Sequence, residues 1–248
     1  MKLIVALVLL MILTLSFQDP TFRENQLRFV RVRQAYQEYE HRVIKTLADS
    51  SISLNTLRIY LRAFKTEAKI ELWAKNASDL SFKLIRNFVI CQLSGELGPK
   101  RRQYDRQVPE GFYQIKSLNP FSKFYLSMEV DYPNESDRML GHKGNLGGDI
   151  YIHGSCATSG CIPINDDQIK ELYVYIVEAK NSGQDTIALT IFPAELSTKS
   201  YKDLVALYKG DNDKINLWED LKKGYDLFNN SKIVPKVRFM ENGRHEVY

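Results

Sequence analysis

Between residues 20 and 48 the side chains Leu27, Val30, Tyr36, Tyr39, Val43, Ile44 and Leu47 recur near helical spacing, with arginines and glutamates between them. A period near 3.6 predicts an amphipathic helix that lies against the rest of the chain or reaches toward a partner. Ser50-Ser51-Ile52-Ser53 breaks the pattern. From Leu57 the period shortens to two: Ile59, Leu61 and Ala63, then Ile70, Leu72 and Ala74, then Phe82, Leu84 and Phe88 to Ile90. That is the rhythm of strands, although a helix would accommodate parts of the stretch. Further strands are predicted at Gly111 to Ile115, Phe124 to Val130, Gly148 to His153 and Thr186 to Phe192, the last a short, apolar, β-branched run. Asn165-Asp166-Asp167 is a helix start, followed by Ile169, Leu172, Tyr173 and Ile176 at helical spacing. Asp213 to Phe228 reads as another amphipathic helix, whose stripe through Trp218 is expected to be core. The pattern as a whole predicts an α+β fold with flanking helices.

The first residues change the picture of where this fold works. Lys2 precedes the apolar run Leu3 to Leu15, of signal-peptide length and short of the ~20 residues that span a bilayer comfortably. Thr14 and Ser16 give a small-x-small cleavage site before Phe17. The expected organisation is a signal peptide at 1–16, a helical segment at 17–56 and a catalytic domain at 57–248, exported to the periplasm or cell envelope. An uncleaved anchor is the alternative, and it would be the chain's one attachment to a membrane. The composition, 44% apolar with a formal charge of +4, describes a globular protein and is too weakly basic to argue for nucleic acid. No phosphate-binding glycine loop or nucleotide motif occurs, and no cofactor is expected. Three cysteines exclude a disulfide framework, and their odd number leaves at least one thiol free.

Chemistry concentrates in Tyr151-Ile-His-Gly-Ser-Cys-Ala-Thr-Ser-Gly-Cys-Ile-Pro163. His153 ends a predicted strand, where a loop presents its residues to substrate. A nearby imidazole that takes the proton of Cys161 turns a weak thiol into a strong nucleophile. Gly160 leaves room beside the sulfur, and the N–H groups of Gly160 and Cys161 are candidate oxyanion donors. Thr158 and Ser159 are candidates for orienting His153 or binding substrate. A helix starting at Asn165 would hold this loop, and its positive end is expected to lower the thiol pKa modestly.

His153-Gly154, the loop Ser155 to Ala157 and Thr158-Ser159-Gly160-Cys161 resemble the signature of the L,D-transpeptidase family with the YkuD-like catalytic domain. Ser159 and Pro163 stand where the larger branch has histidine and arginine, and the short loop is similar to the YafK-like branch. The resemblance covers roughly residues 57 to 240, through Ser94-Gly95-Glu-Leu-Gly98-Pro99-Lys100, Gln107 to Ile115, Asn119 to Ser122 and Asp131 to Arg138. It decides the stretch from Leu57 for strands, and so implies a mostly β, β-sandwich-like catalytic core, with a substrate in peptidoglycan. Cys161 would attack a stem-peptide carbonyl with His153 as base and then acid, through a thioester that an amine resolves. The resemblance also admits an amidase that releases a peptide or a wall-anchored protein.

Blander readings stand beside these. Cys161 is otherwise a small buried hydrophobe or half of a disulfide with Cys156. Cys156 and Cys91 are expected to be structural, or Cys156 a redox modulator of Cys161. His153, Cys156 and Cys161, with His142 as a fourth ligand, would suit zinc chemically, but the spacing fits no common pattern. A wall-binding module without catalysis would keep the fold and an unreactive thiol. A papain-like protease is disfavoured because His153 precedes Cys161.

Overall fold

The computed structural model describes residues 19–248; the leading apolar run, with its predicted cleavage after Ser16, lies outside the described residues. The long amphipathic pattern resolves into two helices, α1 (Phe22–Gln26) and α2 (Val30–Asp49). Thr21 caps α1 in a reciprocal box with Glu24. The chain turns between the helices because Phe29 is extended, and Leu27 and Phe29 both pack into the core there. One continuous helix could not turn both inward.

A 3-10 turn at Leu54–Thr56 leads into the meander β1 (Leu57–Phe64), β2 (Lys69–Asn76) and β3 (Lys83–Val89). Then come β4 (Gly111–Asn119), β5 (Ser127–Val130), α3 (Glu135–Leu140), β6 (Tyr151–His153) and β7 (Ile162–Pro163). The chain continues through α4 (Asp166–Asn181), β8 (Ala188–Phe192), α5 (Thr198–Leu207), α6 (Asn212–Ser231), β9 (Val237–Phe239) and β10 (His245–Val247). Eight strands form one curled, mixed sheet in the order β3-β2-β1-β8-β4-β5-β6-β7, and β9 and β10 form a separate hairpin. About 35% of the chain is helical and 23% strand, which makes the fold α+β rather than all-β. β8 runs parallel to β1 and antiparallel to β4, so the chain returns to the middle of the sheet after α4.

The period-two rhythm has its physical cause in two buried faces. Ile59, Leu61, Ala63, Ile70, Leu72, Ala74, Leu189 and Ile191 face the core shared with α2 and α4. The intervening residues Phe64 and Phe192 join Trp218 and Leu221 of α6 on the other face. That second face also takes Arg62, 2% exposed, among the rings of Phe64, Phe192, Tyr225 and Phe228, with its guanidinium donating to Asn229 Oδ1 at 2.8 Å. The N-terminal helices belong to the first layer: Val32, Ala35, Tyr36, Val43 and Leu47 are buried in the same core as the sheet. No described helix is long and apolar enough to cross a membrane.

Candidate active site

β6 and β7 pair in parallel at the end of the sheet, with Ile152 opposite Ile162 and His153 opposite Pro163. One step back in that register Cys161 is level with Tyr151. Strand side chains alternate, so continuing that register puts Cys161, Tyr151 and His153 on one face. The loop between them is built to bring the chain round in few residues. Gly160 sits at φ +109°, a conformation that favours glycine, and a Cβ there would lie 3.2 Å from the Gln107 carbonyl oxygen. Gly154 is equally constrained, since a Cβ would meet Asp166 Oδ1 at 2.6 Å and the Phe124 carbonyl oxygen at 2.8 Å.

Three further ties hold the loop. Ser155 N–H donates to Asp166 Oδ1 at 2.7 Å, so the first residue of α4 fixes the loop as the sequence led us to expect. Thr158 Oγ1 donates to the Cys161 carbonyl at 2.7 Å; Thr158 therefore holds the backbone of Cys161 and makes no hydrogen bond to His153. Cys91 and Cys156 form a disulfide across 65 residues, and the Cys91 N–H donates to the Pro163 carbonyl at 3.0 Å. Cys161 is the free thiol. The possibility of a Cys156–Cys161 ring is thereby corrected: Cys156 is spent on a distant partner. The same bond removes Cys156 from the conceivable zinc set, and no group of three His, Cys, Asp or Glu among the described residues is placed to hold a metal. His142 lies apart, its N–H on the Arg101 carbonyl at 2.9 Å.

Gly160 N–H donates to Ser94 Oγ at 2.7 Å. This corrects its assignment as an oxyanion donor, because that proton is already committed; Gly160 contributes conformation and space. Ser94 and Gln107 reach the loop from the long β3–β4 connection, which is pinned from inside. Lys65 Nζ donates to the carbonyls of Glu96 at 2.6 Å and Val108 at 3.1 Å and pairs with Glu110 at 2.8 Å. Trp218 Nε1 donates to the other Glu110 oxygen at 2.7 Å. Ser159 is exposed at the loop tip.

The electrostatics favour a neutral pair. Burial holds the His153 imidazole below its usual range, partly offset by the Gly154 carbonyl. His153 Nδ1 contacts that carbonyl at 2.5 Å; a carbonyl only accepts, so Nδ1 carries the proton and Nε2 presents a lone pair. Nε2 is buried and has no hydrogen-bond partner among the described residues. Burial also pushes the Cys161 thiol up, outweighing the nearby Tyr151 N–H and Lys100 that favour the thiolate. The expected lowering by the start of α4 is corrected: desolvation dominates. The thiol proton points to the Asp149 carbonyl over a long 3.4 Å. Phe124, absent from the sequence-derived candidates, stacks on the imidazole at 4.5 Å; it lay in a predicted strand, and only three-dimensional packing reveals the contact.

A family model described as the YkuD L,D-transpeptidase catalytic domain matches residues 61–188. The Escherichia coli (strain K12) protein named "Putative L,D-transpeptidase YafK" is 34% identical over 191 residues, 76% of this chain and 73% of its own. Among solved structures, the helical cell shape determining protein Pgp2 from Campylobacter jejuni is 16% identical, with a TM-score of 0.44 over 75% of this chain and 73% of its own. Bd1075 from Bdellovibrio bacteriovorus is 20% identical, with a TM-score of 0.40 over 69% of this chain and 62% of its own.

Proposed function

Because the chain belongs to the L,D-transpeptidase family, we propose that it is an exported cysteine acyl-transferase acting on peptidoglycan stem peptides. The observation that carries this reading is that the free thiol, Cys161, directly precedes the strand that pairs with the strand of His153, an imidazole whose Nε2 lone pair is unclaimed. A disulfide between Cys91 and Cys156 supports work in an oxidising compartment outside the cytosol.

The reaction begins from neutral partners. Rotation of the Cys161 side chain turns its S–H from Asp149 toward His153. As sulfur attacks a stem-peptide carbonyl, the thiol proton passes to Nε2, and the imidazolium is held in place by its Nδ1–H bond to Gly154. The Cys161 N–H, which no loop carbonyl or side chain among the described residues accepts, is the donor available to the developing oxyanion; one such donor is worth about 3 kcal/mol. Collapse expels the amine, which takes the proton from Nε2 and leaves a thioester. An acceptor amine, deprotonated by the same Nε2, then forms a new amide and regenerates the thiol. Water in place of the amine yields hydrolysis and would release a peptide or a wall-anchored protein.

The test is intact-protein mass spectrometry and product analysis after incubation with purified muropeptides. Wild type and Cys156→Ala should give an adduct or turnover, whereas Cys161→Ala should give neither. A cross-linked product identifies a transferase and a merely shortened one a hydrolase. Turnover by Cys161→Ala would refute the mechanism and leave a non-catalytic wall-binding role for the cysteine loop.

A further inference from the structure

We infer that Arg31, on the first turn of α2, is a positioning residue for His153, acting through the Ser122–Tyr125 turn and the Phe124 ring; this rests on His153 being the base of the proposed reaction. Arg31 Nη1 donates to the carbonyls of Ser122 at 2.6 Å and Tyr125 at 2.7 Å. One guanidinium thus pins both ends of the span that contains Phe124. Its charge also lies over the Tyr125 ring, 5.5 Å from the centroid. Tyr125 adopts φ +73°, a left-handed conformation that a bulky residue keeps only when its surroundings hold it.

Within that span Phe124 is fixed from two sides. Its N–H donates to Ser122 Oγ at 3.1 Å, and its carbonyl takes the space that a Cβ on Gly154 would need. Gly154 N–H in turn donates to the Leu126 carbonyl at 3.2 Å. The ring lies on the imidazole with 25° between planes. Phe124 is 41% exposed and His153 1%, so the phenyl group is the cover between the base and water. The helix supplies two lesser anchors to the same segment, Tyr125 OH on Gln34 at 3.2 Å and the edge contact of Phe29 with Phe121. α2 itself is seated by Val32, Ala35, Tyr36, Val43 and Leu47. Arg31 is not needed for that seat, which separates its effect on the turn from the folding of the helix.

The elements around His153 carry titratable groups that make no contact with it. They are Arg31 on α2, Glu129 on β5, Asp166 and Lys170 on α4, Asp149 before β6 and the thiol of Cys161 before β7. None forms an ion pair or hydrogen bond with His153 among the described residues. The state of the base therefore depends on how well it is covered, and the N-terminal arm reaches the chemistry through that cover.

The experiment is an NMR titration of the His153 ring in the folded protein, read beside muropeptide turnover, for wild type, Arg31→Ala, Arg31→Lys, Phe124→Leu and Arg33→Ala. Arg33 binds the carbonyls of Leu27 and Arg28 within its own arm and serves as the control. Arg31→Ala and Phe124→Leu should move the His153 midpoint up toward its ordinary value near 6.5 and lower kcat about tenfold with little change in KM, the mark of a mispositioned group. Arg31→Lys should fall between, since its ammonium sits one bond nearer the backbone than the Nη1 that reaches both carbonyls, and Arg33→Ala should match wild type. A folded Arg31→Ala or Arg31→Lys with the wild-type midpoint would overturn the inference, as would an equal shift in Arg33→Ala. The titration needs no substrate, so an inert wild type with the expected shifts would sink the proposed function and leave the positioning intact.

Discussion

His153 and His245 are both buried, at 1% and 6% exposure, and both leave Nε2 without a partner among the described residues. By residue type His245 has the richer surroundings. Its Nδ1 lies 3.2 Å from Asp220 Oδ2, and Ser136, Asp220 and His245 line one hollow of about 400 Å³. The inventory resembles a hydrolytic triad, yet each proton is already placed. Ser136 Oγ donates to the Gly243 carbonyl at 2.6 Å, and Asp220 is occupied by Arg244 Nε at 2.9 Å and the His245 N–H at 2.8 Å. His245 is also enclosed by the rings of Phe112 and Phe239. Cys161, by contrast, is free, and its proton rests on a single long contact, 3.4 Å to the Asp149 carbonyl. If the proposed reaction holds, what separates its pair from this structural one is the nucleophile, since both histidines leave Nε2 unclaimed.

The largest expected effect breaks the comparison outright if it fails. Cys161→Ala and His153→Ala should lower turnover on muropeptides on the order of 10⁴-fold, as removal of either half of a nucleophile–base unit does. His245→Ala should leave kcat within about threefold. Loss of activity in His245→Ala at a temperature where it remains folded would show that the second histidine also serves the reaction.

The second effect is on stability, and at His245 it should come without a loss of activity. Asp220→Ala strips Arg244 and His245 of their shared carboxylate, and breaking a buried, hydrogen-bonded pair costs ~3 kcal/mol. Chemical denaturation should show that loss while kcat is retained. The site around His153 is held in a different manner, by the Cys91–Cys156 bond closing a 65-residue separation. In the chain-entropy account such a bond contributes ~4 kcal/mol. Replacing both cysteines by serine should therefore lower stability by about 2–4 kcal/mol and also lower kcat, because the freed loop carries Cys161. A double variant with full activity would show that Asp166, Ser94 and Thr158 suffice to place the nucleophile.

These neighbourhoods differ in how plainly they were written in the sequence. The His153-Gly154 to Cys161 run and the helix start at Asn165 are local features, a few residues that carry their own geometry, and both were legible. So was the alternation of β1, β2 and β8, because two hydrophobic layers impose the same period. The Cys91–Cys156 pairing was not, since nothing along the chain decides which two of three cysteines approach. α3 has six residues, too few turns for a period to show, and its signal was the Asn134 and Asp137 capping pair. α5 buries only Leu204, so its apolar stripe is too thin to read. Phe124 over His153 and Arg31 behind Phe124 are contacts across the fold, where sequence separation carries no information.

The smallest effect is the most discriminating about mechanism. Burial depresses the His153 pKa and raises that of Cys161, so between the two values the folded enzyme holds imidazole and thiol, both neutral. Alkylation by iodoacetamide follows the thiolate fraction. With Cys161 the free cysteine, its rate should be low at pH 7, climb steadily with pH and show no plateau by pH 9. Turnover should behave in the opposite sense on the acid side: it needs the Nε2 lone pair, so kcat/KM should hold down to pH values below 6.5 and fall as the pH drops through the depressed His153 value. A preformed thiolate–imidazolium pair would instead give an alkylation plateau between about pH 5 and 8, as acidic cysteines paired with histidine do. Finding that plateau would mean that the proton has already moved before substrate arrives, and that the reaction starts from charged partners in place of neutral ones.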